Sequence, residues 1–454
     1  MDLFGTAGIR GPIETRVTPE LALSVGRAAG LDAREHGNAE FAVGRDGRIS
    51  GPTLQRALVA GLQSAGVAVR LVGEVPTPAL AFASQGRRGV MLTASHNPPA
   101  DNGLKLFCAG VEYDAEAEAR IEARVAADDD PAPWDTWTRP RREPVLDAYR
   151  EAVVEYAGGL GAPLDGLPVA VDCGNGMASV ATPQVLDALG AEVTALSANV
   201  DGRFPARESK PTPETLTDLR AYVASTDAAI GFGADGDADR LVVVDGDGEV
   251  VHEDTVLAIL AEAFVAGSEA DDPVVVTTPN ASARVDERVA AAGGRVERVA
   301  LGYVHEGIAD ARSSGATVAF AGEPWKHVHP ALGGWIDGVA SAAVLARLVA
   351  DAGGLGPLRE PVNERPYRKV SVDCPDDRKA DAMARLEDAL PATFDDATVD
   401  TGYGIRLDRP DASWVLVRPS GTEPYVRVYA EGEDVDVLVE RAVEAVEAAV
   451  DAAG

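Results

Sequence analysis

A chain of 454 residues is longer than one hydrophobic core usually organises and predicts three or four domains. With 46% hydrophobic residues and no apolar run near the roughly 20 residues that span a bilayer, it reads as a soluble globular protein and excludes a transmembrane helix. Its 73 acidic against 41 basic residues give a formal net charge of −32, a field that repels nucleic-acid phosphates and anionic membranes and argues against both as partners.

The same field repels any anionic ligand unless salt screens it, and the Debye length shrinks to about 3 Å at 1 M. Together with the scarcity of lysine, this reads as a salt-adapted, halophilic surface. An acidic disordered chain is excluded by apolar periodicity along almost the whole sequence. Met1 to Gly5 lacks the basic region and apolar core of a signal peptide, so a cytoplasmic location is expected. Cys108, Cys173 and Cys374 have neither even number nor paired spacing and predict no disulfide framework or thiolate zinc site.

Residues 41 to 95 alternate short apolar runs with longer amphipathic ones: Phe41 to Asp46, Gly51 to Gly66, Val67 to Val75, Thr77 to Gly86 and Gly89 to Ser95. The order is strand, helix, strand, helix, strand. It recurs from Leu167 to Asp235, with strands at Val169 to Val171 and Ala228 to Gly231 around helices near Thr182 and Pro213. It recurs again from Asp272 to Glu323, with strands at Val274 to Val276, Val296 to Leu301 and Thr317 to Phe320. These are three doubly wound α/β domains of similar topology. Gly353 to Pro357 reads as a linker. A smaller C-terminal α+β domain follows, with a strand near Tyr367 to Val372, a helix from Arg378 to Leu390, strands near Trp414 to Arg418 and Tyr425 to Tyr429, and a helix from Val435. The first crossing is placed in the stretch from Asp128 to Arg142, and the domains at 1–140, 141–252, 253–356 and 357–454.

Open parallel sheets bind ligands beyond the carboxyl ends of their strands. The loop after the third strand of each unit is chemically loaded: Thr93 to Pro98, Asp235 to Arg240, and Gly322 to His327. One shared cleft would unite them. Ser95 beside His96 is by itself also an ordinary turn, and strand geometry sends adjacent side chains to opposite faces, so His96 is read as an orienting or phosphate-contacting group. Asp235, Asp237 and Asp239 at alternate positions offer hard oxygen ligands of the kind Mg²⁺ or Ca²⁺ prefers. An EF-hand would need Gly and Glu where Arg240 and Gly246 stand, which leaves a solvated acidic turn as the alternative. Asp245 to Gly248 reads as a hairpin turn. Arg418 to Pro424 supplies a guanidinium, two hydroxyls and a glycine amide suited to a phosphate, or else a tight loop between strands. Gly5 to Gly11 is either a site segment or a flexible lead-in.

Taken together, these loops resemble the α-D-phosphohexomutase family, which includes phosphoglucomutases, phosphomannomutases and phosphoglucosamine mutases. The family's phosphoserine loop matches Thr93 to Pro98, and its Asp-Gly-Asp-x-Asp-Arg metal loop matches Asp235 to Arg240. Phe4 to Gly11, Asn102 to Lys105 and Arg418 to Pro424 are similar to further family motifs in the same order. The resemblance covers essentially the whole chain. It implies interconversion of hexose or hexosamine 1-phosphate and 6-phosphate through a phosphoserine and a bisphosphorylated sugar, which is also the activator. It implies Ser95, His96, Lys105 and Arg10 as catalytic residues, and Arg240, Glu323, His327, Arg418, Ser420, Gly421 and Thr422 as substrate contacts. One Mg²⁺ would be held by Ser95, Asp235, Asp237 and Asp239, and the fourth domain would act as a lid. Lys105, His96 and Arg10 are all eligible as general base. The family's sugar loop usually reads Gly-Glu-x-Ser-Gly-His, whereas Trp325 and Lys326 stand here in place of the Ser and Gly. That difference is expected to alter sugar recognition. Monomer and homo-oligomer are both open. Two rivals are a phosphatase with Asp235 as nucleophile, which the complete serine loop opposes, and a sugar-phosphate sensor, which would need neither Ser95 nor three aspartates.

Overall fold

A computed structural model of the protein describes residues 3–5, 8–394, 396–420 and 423–453. Among them, the first sheet runs in the order Ile9–Pro12, Asp101–Cys108, Arg88–Leu92, Glu40–Arg45, Ala68–Glu74 and Arg141–Arg142, with Val111–Glu112 paired to Asp101–Cys108. The second runs Leu241–Val244, Ile230–Ala234, Pro168–Asp172, Glu192–Leu196. The third runs Arg295–Arg298, Pro273–Thr277, Thr317–Glu323, Lys326–Val328.

These sheets share one plan. In each, the first strand of the repeated unit carries its two successors parallel on either side, so chain order reverses beside it. That reversal is where open α/β sheets hold ligands. The third strands Arg88–Leu92 and Ile230–Ala234 are buried throughout, as expected of parallel strands covered on both faces. Apolar periodicity predicts only the parallel strands. Each sheet also has a fourth strand returning antiparallel to the third, which turns every loaded loop into the connection of a hairpin. The turn at Asp245 to Gly248 closes a tight hairpin, with Asp245 N donating to Glu249 O at 2.9 Å. The helix expected near Pro213 starts at Thr217, and the strand expected to run to Leu301 stops at Arg298.

The fourth sheet is antiparallel, in the order Tyr367–Asp373, Tyr425–Glu431, Trp414–Pro419, Ile405–Asp408, Thr398–Asp400, and packs on helices Lys379–Thr393 and Val435–Ala452. Its last two strands are too short and too charged to register as apolar alternation.

Both predicted connectors are ordered. Ala132 N donates to Ser64 O at 2.8 Å and Thr138 Oγ1 to Val67 O at 2.7 Å, so the stretch after Asp128 lies along the first sheet and ends as its edge strand Arg141–Arg142. The glycine-rich segment is no slack linker: Gly353 caps helix Gly338–Ala352 in a left-handed conformation, and Leu355–Arg359 is helical. One continuous apolar cluster, including Phe107, Tyr149, Phe232, Leu257 and Phe320, crosses the first three domains. The fourth has its own core. It is joined to the third by the buried pair Arg284 and Glu431 at 3.1 Å, with Trp414 Nε1 donating to Glu431 at 2.8 Å. Among the described residues no helix is long and apolar enough to cross a membrane.

Candidate active site

The loop from Thr93 to Ala100 leaves the third strand of the first sheet, and Ser95 within it adopts a left-handed backbone (φ 50°) with 1% of its surface exposed. Arg48 holds this shape. It is fully buried, and its guanidinium donates to the carbonyls of Ser95 (2.8 Å), Asn97 (2.7 Å), Pro98 (2.5 Å) and Asp101 (3.0 Å). Asp46 accepts from Arg48 Nε at 3.0 Å and from Thr93 Oγ1 at 2.8 Å, while Thr93 Oγ1 accepts from Ser95 N at 2.9 Å. Burial raises the Asp46 pKa to about 6 against the pull of Arg48. Sequence reading missed this pair, although both residues follow the carboxyl end of the first strand, where the switch-point rule also directs attention.

The alternation of strand side chains does not apply to Ser95 and His96, because the strand has ended at Leu92. The left-handed Ser95 brings its Oγ to 3.3 Å from His96 Nδ1. Burial, then the charges of Arg240 and Arg10, drive the His96 pKa down to about 2, which favours the neutral imidazole.

The second loop meets the first directly. Ser95 Oγ donates to Asp235 Oδ2 at 2.7 Å, and a Cβ on Gly236 would stand 2.6 Å from Ser95 O, so this contact requires glycine. Thr77 Oγ1 donates to Asp237 Oδ2 at 2.5 Å, and Lys105 Nζ donates to Asp239 Oδ2 at 2.8 Å. Carboxylate oxygens of Asp235, Asp237 and Asp239 lie within 4.8 Å of one another, all three residues buried. Burial, then Asp239 and Asp237, push the Asp235 pKa well up. Burial opposes ionisation of Asp239, but Lys105 and Arg240 outweigh it and hold its pKa below the ordinary range. Asp237 Oδ1 and Asp239 Oδ1 are buried without a hydrogen-bond partner. Crowded carboxylates with orphaned oxygens fit a small oxygen-seeking cation, which would satisfy the free oxygens and relieve the repulsion.

Ser95, Arg10, Lys105, Arg240 and Glu323 line one cleft, so the three predicted loops do converge. Arg10 reaches it from Ile9–Pro12, paired opposite Gly103. Burial disfavours the Lys105 charge, yet Asp239, Glu112 and Asp237 prevail and raise its pKa, so the group is a firm cation. Glu323 Oε1 accepts from Gly302 N at 2.6 Å. Glu112, His305 and Trp335, which no motif marked, also line the cleft.

On Lys326–Val328 side chains alternate, and Lys326 and Val328 face the cleft, so His327 points inward. His327 is 1% exposed, lies 3.1 Å from Ser341 Oγ and has its pKa pushed down to about 3 by burial. It is an interior residue in this arrangement. The Trp325 indole packs against the apolar cluster around Leu216 and Leu219 of the second domain, not into the cleft. Of the two departures from the usual sugar loop, Lys326 alone lines the cleft.

In the fourth domain, Arg418 Nη2 donates to Tyr429 Oη at 3.2 Å, and Arg427 is its directly paired neighbour across the sheet. Lys369 Nζ stands 5.5 Å over the Tyr429 ring. Ser420 Oγ accepts from Glu423 N at 3.2 Å, and Lys379 ties Ser420 O and Glu423 O at 2.7 and 2.6 Å. Gly421 and Thr422 lie outside the described residues. Among the described residues, none of this cluster lines the cleft at Ser95. Lys210 is common to both: its charge acts on His96 and on Lys369.

The phosphoglucomutase/phosphomannomutase α/β/α domains I, II and III match residues 1–132, 147–248 and 252–368, and the family's C-terminal domain matches 370–449. The chain is 40% identical over 442 residues to a phosphopentomutase of Thermococcus kodakarensis, covering 95% of this chain and 94% of that protein. It is 39% identical to a probable phosphoglucosamine mutase of Methanopyrus kandleri, with 95% and 94% covered. Its fold is similar to that of a solved phosphoglucomutase/phosphomannomutase family protein of Burkholderia thailandensis, at a TM-score of 0.85, 30% identity and coverage of 99% and 97%. With four domains matched in order over nearly its full length, this chain belongs to the phosphoglucomutase/phosphomannomutase family of phosphosugar mutases.

Proposed function

We propose that Ser95 is the phosphoryl carrier of this phosphosugar mutase and that Asp235, Asp237 and Asp239, with Ser95, hold one Mg²⁺ beside it. The observation that carries this reading is the 2.7 Å contact between Ser95 Oγ and Asp235 Oδ2 at the meeting of two loops from different sheets. Bound there, the cation would draw negative charge from the phosphoryl oxygens.

In the first half-reaction the bond from phosphorus to Ser95 Oγ breaks, its electron pair staying on Oγ, as a bond to a sugar hydroxyl oxygen forms, and the proton of that hydroxyl passes to Ser95 Oγ. The bisphosphorylated sugar turns over. In the second, the bond from the other phosphate to the sugar breaks, the electron pair staying on the sugar oxygen, which takes up the proton that Ser95 Oγ gives up as it regains a phosphoryl group. Arg48 fixes the serine loop throughout. Arg10, Lys105 and Arg240 supply positive charge around the transferring group, and Lys105 enters as a cation. His96, neutral and 3.3 Å from Oγ, orients the serine without adding charge. Glu323 contacts sugar hydroxyls, and Arg418 with the Ser420 loop takes the non-reacting phosphate, the fourth domain closing over it as a lid. A bisphosphorylated sugar would restore the phosphoserine when it is lost.

The substrate is a sugar phosphate, and the names of the relatives span pentose and glucosamine phosphates. The enzyme is placed in a salt-rich cytoplasm on the strength of its −32 charge.

Intact-protein mass should show a phosphate adduct on the isolated enzyme that resists hydroxylamine, as a serine ester does. Release by hydroxylamine would assign the phosphate to an aspartate such as Asp235 instead. Ser95→Ala should abolish turnover even with bisphosphorylated sugar supplied, while keeping sugar-phosphate binding.

A further inference from the structure

Among the described residues, every carboxylate that lines the cleft already faces a lysine. Asp239 lies 2.8 Å from Lys105 Nζ, Glu112 3.7 Å from the same nitrogen, and Glu323 3.5 Å from Lys326 Nζ. The second Glu323 oxygen accepts from Gly302 N at 2.6 Å. Arg10 and Arg240 also face the cleft, each with a buried Nε that has no hydrogen-bond partner, and His305 Nε2 is likewise buried and unpartnered. Among the described residues the cleft offers an excess of cationic and N–H groups, and each of its carboxylates already has a lysine beside it.

This arrangement distinguishes between substituents on a sugar ring. Glu323 accepts and Lys326 donates, a couple matched to a hydroxyl, which does both. A protonated amine only donates. It could add to the partners of Glu323, but it would leave Lys326 facing a like charge in a narrow cleft where water screens poorly. The strand from Lys326 to Val328 fixes the lysine in that position, because its neighbour His327 is buried on the opposite face.

Resting on the mutase reading above, we propose that the enzyme takes phosphates of neutral sugars, hexose or pentose, and discriminates against sugars carrying a free amine, with Lys326 as the discriminating residue. On that proposal the name phosphoglucosamine mutase, carried by several relatives, would not transfer to this chain.

The test compares kcat/KM of the Mg²⁺-loaded enzyme for glucose 1-phosphate, ribose 1-phosphate, glucosamine 1-phosphate and N-acetylglucosamine 1-phosphate. The better neutral sugar should exceed glucosamine 1-phosphate by at least about tenfold, a floor only slightly above the worth of a like-charge contact in bulk water. Lys326→Gln should narrow that ratio at least about fivefold, and Lys326→Arg, which keeps the charge, should preserve it. Discrimination against N-acetylglucosamine 1-phosphate, whose nitrogen is uncharged, should not respond to Lys326→Gln. Kd ratios for the same phosphates on Ser95→Ala, measured by calorimetry, give the discrimination without turnover. Glucosamine 1-phosphate equal to or better than both neutral sugars overturns the proposal, as does a ratio that Lys326→Gln leaves unchanged. Absence of turnover with all four and of any phosphate on Ser95 would instead refute the mutase reading, and the calorimetric ratios would still decide the role of Lys326.

Discussion

Arg48 and Asp46 stand two residues apart, both without exposed surface, with Arg48 Nε 3.0 Å from Asp46 Oδ2 and the rest of the guanidinium on four carbonyls of the serine loop. The geometry of Ser95 is thus imposed by a residue 47 positions earlier in the chain.

Removing that fork should damage fold and rate separately. Arg48→Met leaves Asp46 buried and unpaired and should cost about 3–5 kcal/mol of stability, read by denaturant unfolding. Arg48→Lys keeps a charge beside Asp46 but cannot span four carbonyls. It should lose less stability while kcat falls at least about tenfold with KM little changed, because the serine is misplaced. Equal kcat in the wild type and Arg48→Lys would show that the loop holds its shape without the guanidinium.

The aspartate cluster gives the metal assignment a readout beyond activity. Without divalent metal, Asp237→Asn removes one of three crowded buried carboxylates and should leave stability unchanged or raise it. With Mg²⁺ present, the wild type should gain in unfolding midpoint and the variant should gain less. Turnover of the variant should fall by roughly 100-fold or more, since both charge and ligand geometry are lost. A wild-type midpoint and activity indifferent to chelation would remove the metal from the mechanism.

At the junction of the third and fourth domains, Asp254 is 2% exposed, and burial, then Glu253, raise its pKa from 3.8 to about 8 against the pull of Arg284. Between those values the folded protein keeps a proton that the unfolded chain releases. The native state binds more protons, so this residue makes stability fall as pH rises from about 4 to about 8, by up to roughly 1.4 kcal/mol per unit. Asp254→Asn should abolish that contribution. Its unfolding midpoint should exceed that of the wild type above pH 8 and approach it in acid, whereas parallel curves would show that Asp254 is ionised throughout.

Salt acts on the molecule as a whole. Molar KCl screens the self-repulsion of a −32 chain, and the unfolding midpoint should rise across a KCl series. Capture of a sugar phosphate should also improve at first, because the long-range field that repels it is screened. Higher salt then weakens the attraction of Arg240 and Arg418 for phosphate, so kcat/KM should pass through an optimum while stability continues to rise. A midpoint that declines steadily to about 2 M would rule out salt adaptation of this surface.

The sequence by itself determined the repeated units and the loops that carry the chemistry. Apolar periodicity places strands close to Arg88–Leu92 and Ile230–Ala234, although it puts their ends at Ser95 and Gly231, and a switch-point fold places ligands just beyond such strands, so Ser95 and the three aspartates were legible as a pair of facing loops. Tertiary structure decided which side chains of the loops reach the cleft. His327 and Lys326 are adjacent in sequence, but a three-residue strand sends one into the interior and the other to the cleft, and only its pairing with Thr317–Glu323 sets which. Trp325 was drawn onto the second domain and Arg48 beneath the serine loop by contacts with distant segments. Side-chain direction on short hairpins and support from remote residues depend on register and packing between elements, and periodicity within one element carries no record of either.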